Sequence, residues 1–184
     1  MKLLILLPRV PYPLEKGDKL RAFYQLKELS KYHEIYLIAL NRGVLHPEAM
    51  AKVMPFCKRI DFLDLPIIRQ AFGVVRAFLL GLPLQCGFFY SSKIKRKIRE
   101  IIDEVKPDHI YCQMIRVAEY VKRLPIPKTI DYQDVLSKGM QRRSEKTSPL
   151  LKPFFQMEYR RLKRYEAEIF SYFDHKTIIT GVDR

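Results

Sequence analysis

Short apolar runs alternate with helix-period segments along the whole sequence, and this alternation constrains the fold more than any other feature. Strands are predicted at 2–7, 34–40, 58–65, 109–112, 128–132 and 175–180. Helices are predicted at 18–32, 46–54, 67–81, 93–105, 114–123 and 152–172, with a polar loop over 133–149. Parallel sheets covered by helices on both faces, with right-handed crossovers, show this alternation. The sequence therefore predicts an α/β fold, a Rossmann-like three-layer sandwich with a mainly parallel sheet.

Ligands of such sheets bind beyond the carboxyl ends of the strands. The segments expected there are Pro8–Gly17, Asn41–Leu45, Leu65–Pro66, Gln113–Met114, Asp131–Ser137 and Thr180–Arg184. A length of 184 residues suits one domain with a real core.

The N-terminal apolar run, Leu3–Leu7, is too short for a signal peptide and is not followed by a small-residue cleavage site. No stretch reaches the length of a membrane span. Cys57, Cys86 and Cys112 form no C-x-x-C pair, which indicates neither a zinc site nor a disulfide framework. We therefore expect a cytoplasmic protein, with the inner face of the cell membrane as a second location to consider.

The chain carries a net charge of +14, and the excess is concentrated in two places. One cluster, on a predicted helix, consists of Lys93, Lys95, Arg96, Lys97 and Arg99. The other is the window 138–164, which holds nine basic side chains against two acids. This asymmetry indicates an anionic partner, which could be nucleic acid, acidic lipid or a phosphorylated small molecule. On composition alone, a basic surface that is simply solvated is as good an interpretation as one that binds an anionic partner.

Several common catalytic patterns are absent. The dinucleotide fingerprint G-x-G-x-x-G, the P-loop G-x-x-x-x-G-K-[ST] and the nucleophile elbow G-x-S-x-G do not occur. The four histidines show no metal-ligand spacing. A nicotinamide-dependent enzyme is therefore disfavoured, and no metal site is predicted.

The first loop and the helix after it still offer phosphate chemistry. Gly17 allows a ligand close to the backbone, and Asp18 is expected to cap the helix. The N–H groups of Lys19 and Leu20 would then favour an anion, and Arg21 could bind a phosphate or carboxylate with two hydrogen bonds. The alternative is an ordinary capped helix start in which Arg21 pairs with a surface acid.

The segment after the fifth predicted strand is the second candidate. Asp131 and Asp134 lie at or just past the carboxyl end, with Ser137 behind them. A carboxylate there could orient sugar hydroxyls or accept a proton. A turn rich in side-chain to backbone hydrogen bonds is an equally good interpretation.

Five stretches together resemble the N-terminal domain of family 4 glycosyltransferases of the GT-B fold. The resemblance is strongest to bacterial sugar transferases of exopolysaccharide and PEP-CTERM systems. The stretches are PYPLEKGDKLRAFYQLKELSKYHEIYLIAL, GLPLQCGFFYS, YCQMIRVAEYV, IDYQDVLS and EYRRLKRYEAEIFSYFDHKTIIT. No single stretch is specific, but their order and intervals are.

The resemblance implies an acceptor-binding domain of a retaining hexosyltransferase of surface polysaccharide synthesis, acting on a glycan or lipid-linked acceptor. It implies a C-terminal nucleotide-sugar domain, which these 184 residues lack, so that the chain alone would be inactive. The donor would be a substrate, with no cofactor or metal required. A stand-alone basic module that binds nucleic acid or another polyanion is the alternative, although no helix-turn-helix or RNP motif supports it.

By resemblance, Gly17, Asp18 and Arg21 line the interdomain cleft, and Asp134 and Ser137 lie on the same rim. Many relatives have a histidine after the fourth strand where this chain has Gln113, so no catalytic base is named. Relatives with lipid-linked acceptors often dock on anionic membranes through this domain. The candidate segments here are the basic cluster 93–99 and the apolar stretch 72–82.

Overall fold

The computed structural model describes residues 1–178, which form a six-stranded, all-parallel sheet with helices. The strands are β1 Lys2–Leu7, β2 Glu34–Asn41, β3 Arg59–Asp64, β4 His109–Gln113, β5 Lys128–Asp131 and β6 His175–Thr177. Their order across the sheet is β3-β2-β1-β4-β5-β6. The expected Rossmann-like α/β class is therefore confirmed. Residues 179–180 of the sixth predicted strand, and the whole of the expected ligand segment 180–184, lie outside the described residues.

Seven helices are described, all of them between strands along the chain. They are α1 Gly17–Leu29, α2 Ala49–Val53, α3 Ile67–Leu79, α4 Leu84–Phe88, α5 Ser92–Val105, α6 Leu136–Lys146 and α7 Lys152–Phe170. Two 3-10 turns cover Met54–Phe56 and Ile115–Tyr120. None of these helices is long and apolar enough to cross a membrane.

Central position in the sheet explains the apolar runs of β1 and β2. The five residues Leu3–Leu7 are all buried, because helices cover both faces of the sheet there. Alternate residues of β1 join two separate core clusters, one on each face. Because both faces of the strand are buried, residues that point to either face are apolar, and the strand is a continuous apolar run.

Two sequence-based assignments are wrong. The predicted loop over 133–149 contains α6, whose sequence LSKGMQRRSEK has little apolar periodicity of its own. Its helical form depends on packing along α7, where Ser137 and Ser144 are buried. The predicted helix over 114–123 is only a 3-10 turn, in which Ile115 and four of the next five residues are buried, so it lacks the polar face of an amphipathic helix.

The packing of α3 against α4 is unusually close. A Cβ atom on Gly73 would lie 2.1 Å from the carbonyl oxygen of Gly87, and one on Gly87 would lie 2.4 Å from the Cβ of Ala77. Small residues therefore face inward. The large side chains of this segment are exposed, namely Ile67, Ile68, Phe72, Val75, Phe78, Leu79 and Leu80. We call these seven residues the apolar face of α3.

Candidate functional site

The loops after β1, β2, β4 and β5 meet at one edge of the sheet, which we call the carboxyl-end rim. The rim contains strained backbone. Met114, directly after β4, has a φ of 66°, and Gln133, two residues after β5, has a φ of 58°. Residues other than glycine seldom adopt such angles, which occur preferentially at functional sites. The strain marks this edge as the place to look for a site.

The start of α1 differs from the sequence-based expectation. Lys16 is the N-cap residue, and Asp18 lies within the first turn, so the prediction that Asp18 caps the helix is wrong. The Asp18 carboxylate pairs with Arg9 and accepts a hydrogen bond from the Lys19 N–H at 3.1 Å. The Leu20 N–H donates to the Lys16 carbonyl at 2.9 Å. Both N–H groups expected to hold an anion are therefore already used.

Arg21 is held by a buried carboxylate at the end of β5. Asp131 has no exposed surface, and its Oδ2 atom accepts hydrogen bonds from Arg21 Nε and Tyr111 Oη at 2.8 Å each and from Gln25 Nε2 at 3.2 Å. We call these four residues the carboxylate network. Arg21 therefore pairs with an acid, as in the alternative interpretation, but that acid is buried and not at the surface as expected. The Arg21 side chain, whose Nε atom donates to Asp131, also lines an open pocket.

That pocket, of about 580 Å³, brings together several predicted site residues. Gly17, Asp18, Arg21 and Asp134 all line it. A Cβ atom at Gly17 would meet nothing within 4 Å, so the backbone there is open to a ligand. Asp134 is exposed, and its carboxylate makes no hydrogen bond within the described part of the chain.

Three other predicted residues lie apart from this pocket. Lys19 lines a neighbouring pocket of about 540 Å³ and pairs with Glu15 at 2.9 Å. Gln113 is buried, and its Nε2 atom donates to the Asp18 carbonyl at 3.2 Å. Ser137 is buried beneath the rim, where its N–H and Oγ donate to the Glu166 carboxylate at 3.1 and 2.5 Å.

Burial raises the pKa of Glu166, and the hydrogen bonds from Ser137 act in the opposite direction. Burial alone raises the pKa of Cys57 to about 12, so this thiol is not poised as a nucleophile. Within residues 1–178, no group of three or more His, Cys, Asp or Glu side chains is arranged to hold a metal ion.

Three arginines at the rim were missed by the sequence reasoning. Arg9 lies two residues past β1, Arg42 one residue past β2 and Arg116 three residues past β4. We call them the arginine cluster. A search for basic residues just after each predicted strand would have found all three, because the carboxyl ends of parallel strands share one edge.

The predicted membrane-binding segments are both exposed, but with different surroundings. On α5, Lys97 pairs with Glu100 at 3.3 Å and Arg99 approaches Asp103 at 3.7 Å, so part of the basic cluster is balanced by its own helix. Lys93, Lys95 and Arg96 have no ion pair among residues 1–178. Next to the apolar face of α3, Arg161 of α7 donates to the Phe78 carbonyl at 3.3 Å, and Arg164 donates to the Gly81 carbonyl at 2.9 Å.

No protein-family model matches the sequence, and no curated protein matches it. Among solved structures, the chain is similar to the glycosyltransferase UGT2 of Phytolacca americana, determined in complex with UDP-2fluoro-glucose and pterostilbene. The match has a TM-score of 0.59 and 11% sequence identity and covers all of this chain. The chain spans about half of that structure, 49% of its length. The likeness shows the fold: the Rossmann-like sheet matches part of a GT-B glycosyltransferase.

Proposed function

We propose that this chain is the acceptor-binding half of a GT-B glycosyltransferase. The observation that carries the proposal is the match of the whole chain, at a TM-score of 0.59, to about half of a glycosyltransferase. The strained carboxyl-end rim with its open, polar pocket supports it, because ligands of such sheets bind at that edge. The sequence resemblance adds the finer proposal of a retaining family 4 hexosyltransferase, needing no metal and serving bacterial surface polysaccharide synthesis.

The pocket residues take distinct roles in this proposal. Gly17 presents bare backbone to the ligand, and Asp134 accepts hydrogen bonds from acceptor hydroxyls. Arg21 donates through its terminal amino groups, since Asp131 occupies its Nε atom and fixes the direction of the side chain. Lys19 contributes positive charge from the neighbouring pocket. Gln113 and Ser137 act from beneath, by holding the loops that carry Asp18 and Asp134.

Sugar transfer in this proposal needs a nucleotide-sugar domain in addition to the acceptor-binding domain. We therefore expect the protein purified at its natural length from its source cells to transfer sugar from one of a panel of nucleotide-sugars to a glycan or lipid extract. The 184-residue chain alone should transfer none. In the natural-length protein, Arg21→Ala should lower transfer at least tenfold, while Arg123→Ala, an exposed arginine outside the pocket, should leave it unchanged. Absence of both transfer and nucleotide-sugar hydrolysis from the natural-length protein would contradict the proposal.

The apolar face of α3 extends the proposal to a membrane-bound acceptor. Seven exposed apolar residues on one segment, flanked by Arg161 and Arg164, match a surface of anionic lipid: the apolar residues enter the headgroup region and the arginines contact phosphates. Each basic residue near such a surface contributes about 1 kcal/mol.

Vesicle flotation tests this docking surface. Wild-type protein should float with vesicles of anionic phospholipid and sediment with neutral ones. The double variant F72S and L79S should lose flotation. Tyr32→Ser should keep it, although Tyr32 is 75% exposed, as Leu79 is at 76%. A third variant, K95Q with R96Q, measures the contribution of the basic cluster of α5. Flotation of the α3 variant at the wild-type level would assign docking to another surface.

The polyanion-binding alternative makes a different prediction. A nucleic-acid module would bind oligonucleotides with an affinity that falls steeply between 50 and 200 mM salt. We expect no such binding at physiological salt. Tight, salt-sensitive binding of this chain to single- or double-stranded DNA would favour that alternative.

A further inference from the structure

The arginine cluster is arranged around one aromatic ring. The guanidinium carbons of Arg9, Arg42 and Arg116 lie 5.9, 4.7 and 5.5 Å from the centroid of the Phe89 ring. Arg42 also lies 4.3 Å from the centroid of Phe88. Three like charges from three different loops therefore converge on one spot of the carboxyl-end rim.

The protein neutralises only part of this charge. Arg9 pairs with Asp18. Arg116 donates to neutral acceptors, the Gln85 Oε1 atom at 3.1 Å and the Met114 sulfur at 3.9 Å. The Arg42 side chain makes no hydrogen bond or ion pair with any residue among 1–178. The Nε atoms of Arg42 and Arg116 are both buried without a partner.

This arrangement opposes folding. Burial lowers the pKa of the Arg42 guanidinium, and repulsion from Arg9 and Arg116 lowers it further. Burial is also the main cause that lowers the pKa of Arg116. Buried donors without acceptors are rare in folded proteins, and each one needs an explanation. Cation–π contacts with Phe88 and Phe89 offset part of the cost but provide no hydrogen-bond acceptor.

The position of the cluster supplies the explanation. Arg9 lines both rim pockets, which it shares with Arg116 on one side and Arg42 on the other. Lys16 and Lys19 line the Arg42 side, where Glu15 is paired with Lys19. Planar guanidinium groups match the oxygens of a phosphoryl group with paired hydrogen bonds, and one phosphoryl group accepts from several donors.

We propose that Arg9, Arg42 and Arg116 bind a phosphoryl or diphosphate group of the acceptor. The binding site stands on the geometry of the cluster, whereas its assignment to the acceptor rests on the proposed function. The acceptor is then a phosphate ester, such as a lipid-linked sugar diphosphate, whose charge replaces the missing acid of Arg42.

Calorimetric titration of the 184-residue chain with pyrophosphate at low salt tests the site. Wild-type protein should bind, and Arg42→Gln and Arg116→Gln should each weaken binding about tenfold or more, as expected for loss of charge-assisted hydrogen bonds. Arg123→Gln removes the same charge from an exposed position outside both pockets and should change the affinity less than twofold. Equal weakening by all three variants would reduce the effect to net charge and overturn the proposal, as would wild-type affinity in Arg42→Gln.

A second measurement uses only the wild-type chain and therefore does not depend on whether a variant folds. The arginine Nε–H resonances of the wild-type chain, followed by NMR during the pyrophosphate titration, should shift for the cluster and stay fixed for Arg59, which is already paired with Asp61 and Glu104. Unshifted cluster resonances at saturating pyrophosphate would overturn the proposal.

Comparison of ligands separates the two sources of the phosphoryl group. A short-chain prenyl diphosphate and pyrophosphate should bind at least as tightly as UDP, with the same dependence on Arg42. UDP binding more than tenfold tighter than pyrophosphate, and lost in Arg42→Gln, would assign the cluster to the donor and overturn the acceptor assignment. Because these are equilibrium measurements, they can succeed even if the natural-length protein transfers no sugar, so failure of the two proposals is distinguishable.

Discussion

The two sides of the carboxyl-end rim treat charge in opposite ways. In the carboxylate network, the fully buried Asp131 accepts hydrogen bonds from three side chains, one of them the cation Arg21. In the arginine cluster, three cations share one paired acid, Asp18, and two buried Nε atoms have no acceptor. In the carboxylate network the buried charge itself is fully paired, although the Oε1 atom of Gln25 beside it has no partner among residues 1–178, and this pairing meets a requirement of the fold. The unsatisfied side carries a cost that the fold does not need, which is why we assign it to a ligand.

The two sides of the rim should differ in how substitutions change the free energy of unfolding. Removal of a group that satisfies buried partners should lower the free energy of unfolding, because the partners are left without hydrogen bonds. Removal of an unsatisfied cation should not, because no partner is abandoned. Four substitutions test the contrast.

Asp131→Ala should have the largest effect. It leaves Arg21, Gln25 and Tyr111 without their common acceptor, and we expect a loss of about 3 kcal/mol in the free energy of unfolding. Urea denaturation measures it. Asp134→Ala, three residues further on but exposed, should change this free energy by less than about 0.5 kcal/mol. Similar losses of unfolding free energy in both variants would show that the buried Asp131 is no more important to stability than the exposed Asp134.

Ser137→Ala should have a pH-dependent effect. Because burial raises the folded-state pKa of Glu166 above its unfolded value, the stability it contributes is present below the ordinary glutamate pKa and is lost as pH rises through the folded pKa. Loss of the Ser137 hydroxyl raises that pKa further. The gap in unfolding free energy between wild type and variant should therefore widen from pH 4 to pH 7, reaching about 1.5 kcal/mol.

The control for this prediction is Ser144→Ala. Ser144 is also buried on α6, but its Oγ atom donates to the Gln141 carbonyl at 2.7 Å, which does not titrate. Its effect should be constant over the same pH range. A constant gap for Ser137→Ala would show that the Glu166 contact is not charge-dependent.

Tyr111→Phe should have a smaller effect. It removes one of the three donors to Asp131 Oδ2, and we expect a loss of about 1 kcal/mol in urea denaturation. Tyr36→Phe is the matched control, since Tyr36 lies on β2 of the same sheet and its hydroxyl has no hydrogen bond among residues 1–178. An unchanged stability for Tyr111→Phe would mean that Arg21 and Gln25 alone satisfy Asp131.

Arg42→Gln should have the smallest effect on stability. The cation–π contact with Phe88 is lost, about 0.5–1 kcal/mol, but relief of repulsion within the arginine cluster offsets it. We expect a change within about 0.5 kcal/mol. Arg59→Gln, which breaks contacts to Asp61 and Glu104, should lose about 0.5–1 kcal/mol instead. A loss for Arg42→Gln as large as that for Asp131→Ala would make Arg42 a structural residue.

The sheet was predictable because its signals are local. The apolar run of β1 and the clean periodicity of α5 each identify an element without tertiary information. By contrast, α6 has almost no such signal and owes its form to α7, and α4 is a five-residue helix whose first N–H groups are satisfied by Glu158, more than 70 residues away. Such contacts leave no mark on the local sequence.

Part of the site was also predictable from local signals, because some of its residues follow predicted strand ends. Gly17, Asp18, Arg21 and Asp134 follow strand ends along the chain, and the structure brings them to one pocket. The pairing of Arg21 with Asp131 spans 110 residues, and the convergence of the arginine cluster on Phe89 joins four separate segments. Strand order and side-chain direction decide both, and neither can be read from one segment alone.

The close approach of α3 to α4 has a consequence for how this segment tolerates substitution. In most helices the large inward residues resist change and the outward ones vary freely. Here a single methyl group at Gly73 would collide with the carbonyl oxygens of Gly87 and Tyr90, whereas Phe72 beside it could be replaced without disturbing any core contact. A saturation library scored only for folding would therefore find α3 sensitive at its smallest residues and permissive at its largest. The same library scored for attachment to a lipid surface would show the reverse pattern on the outer face.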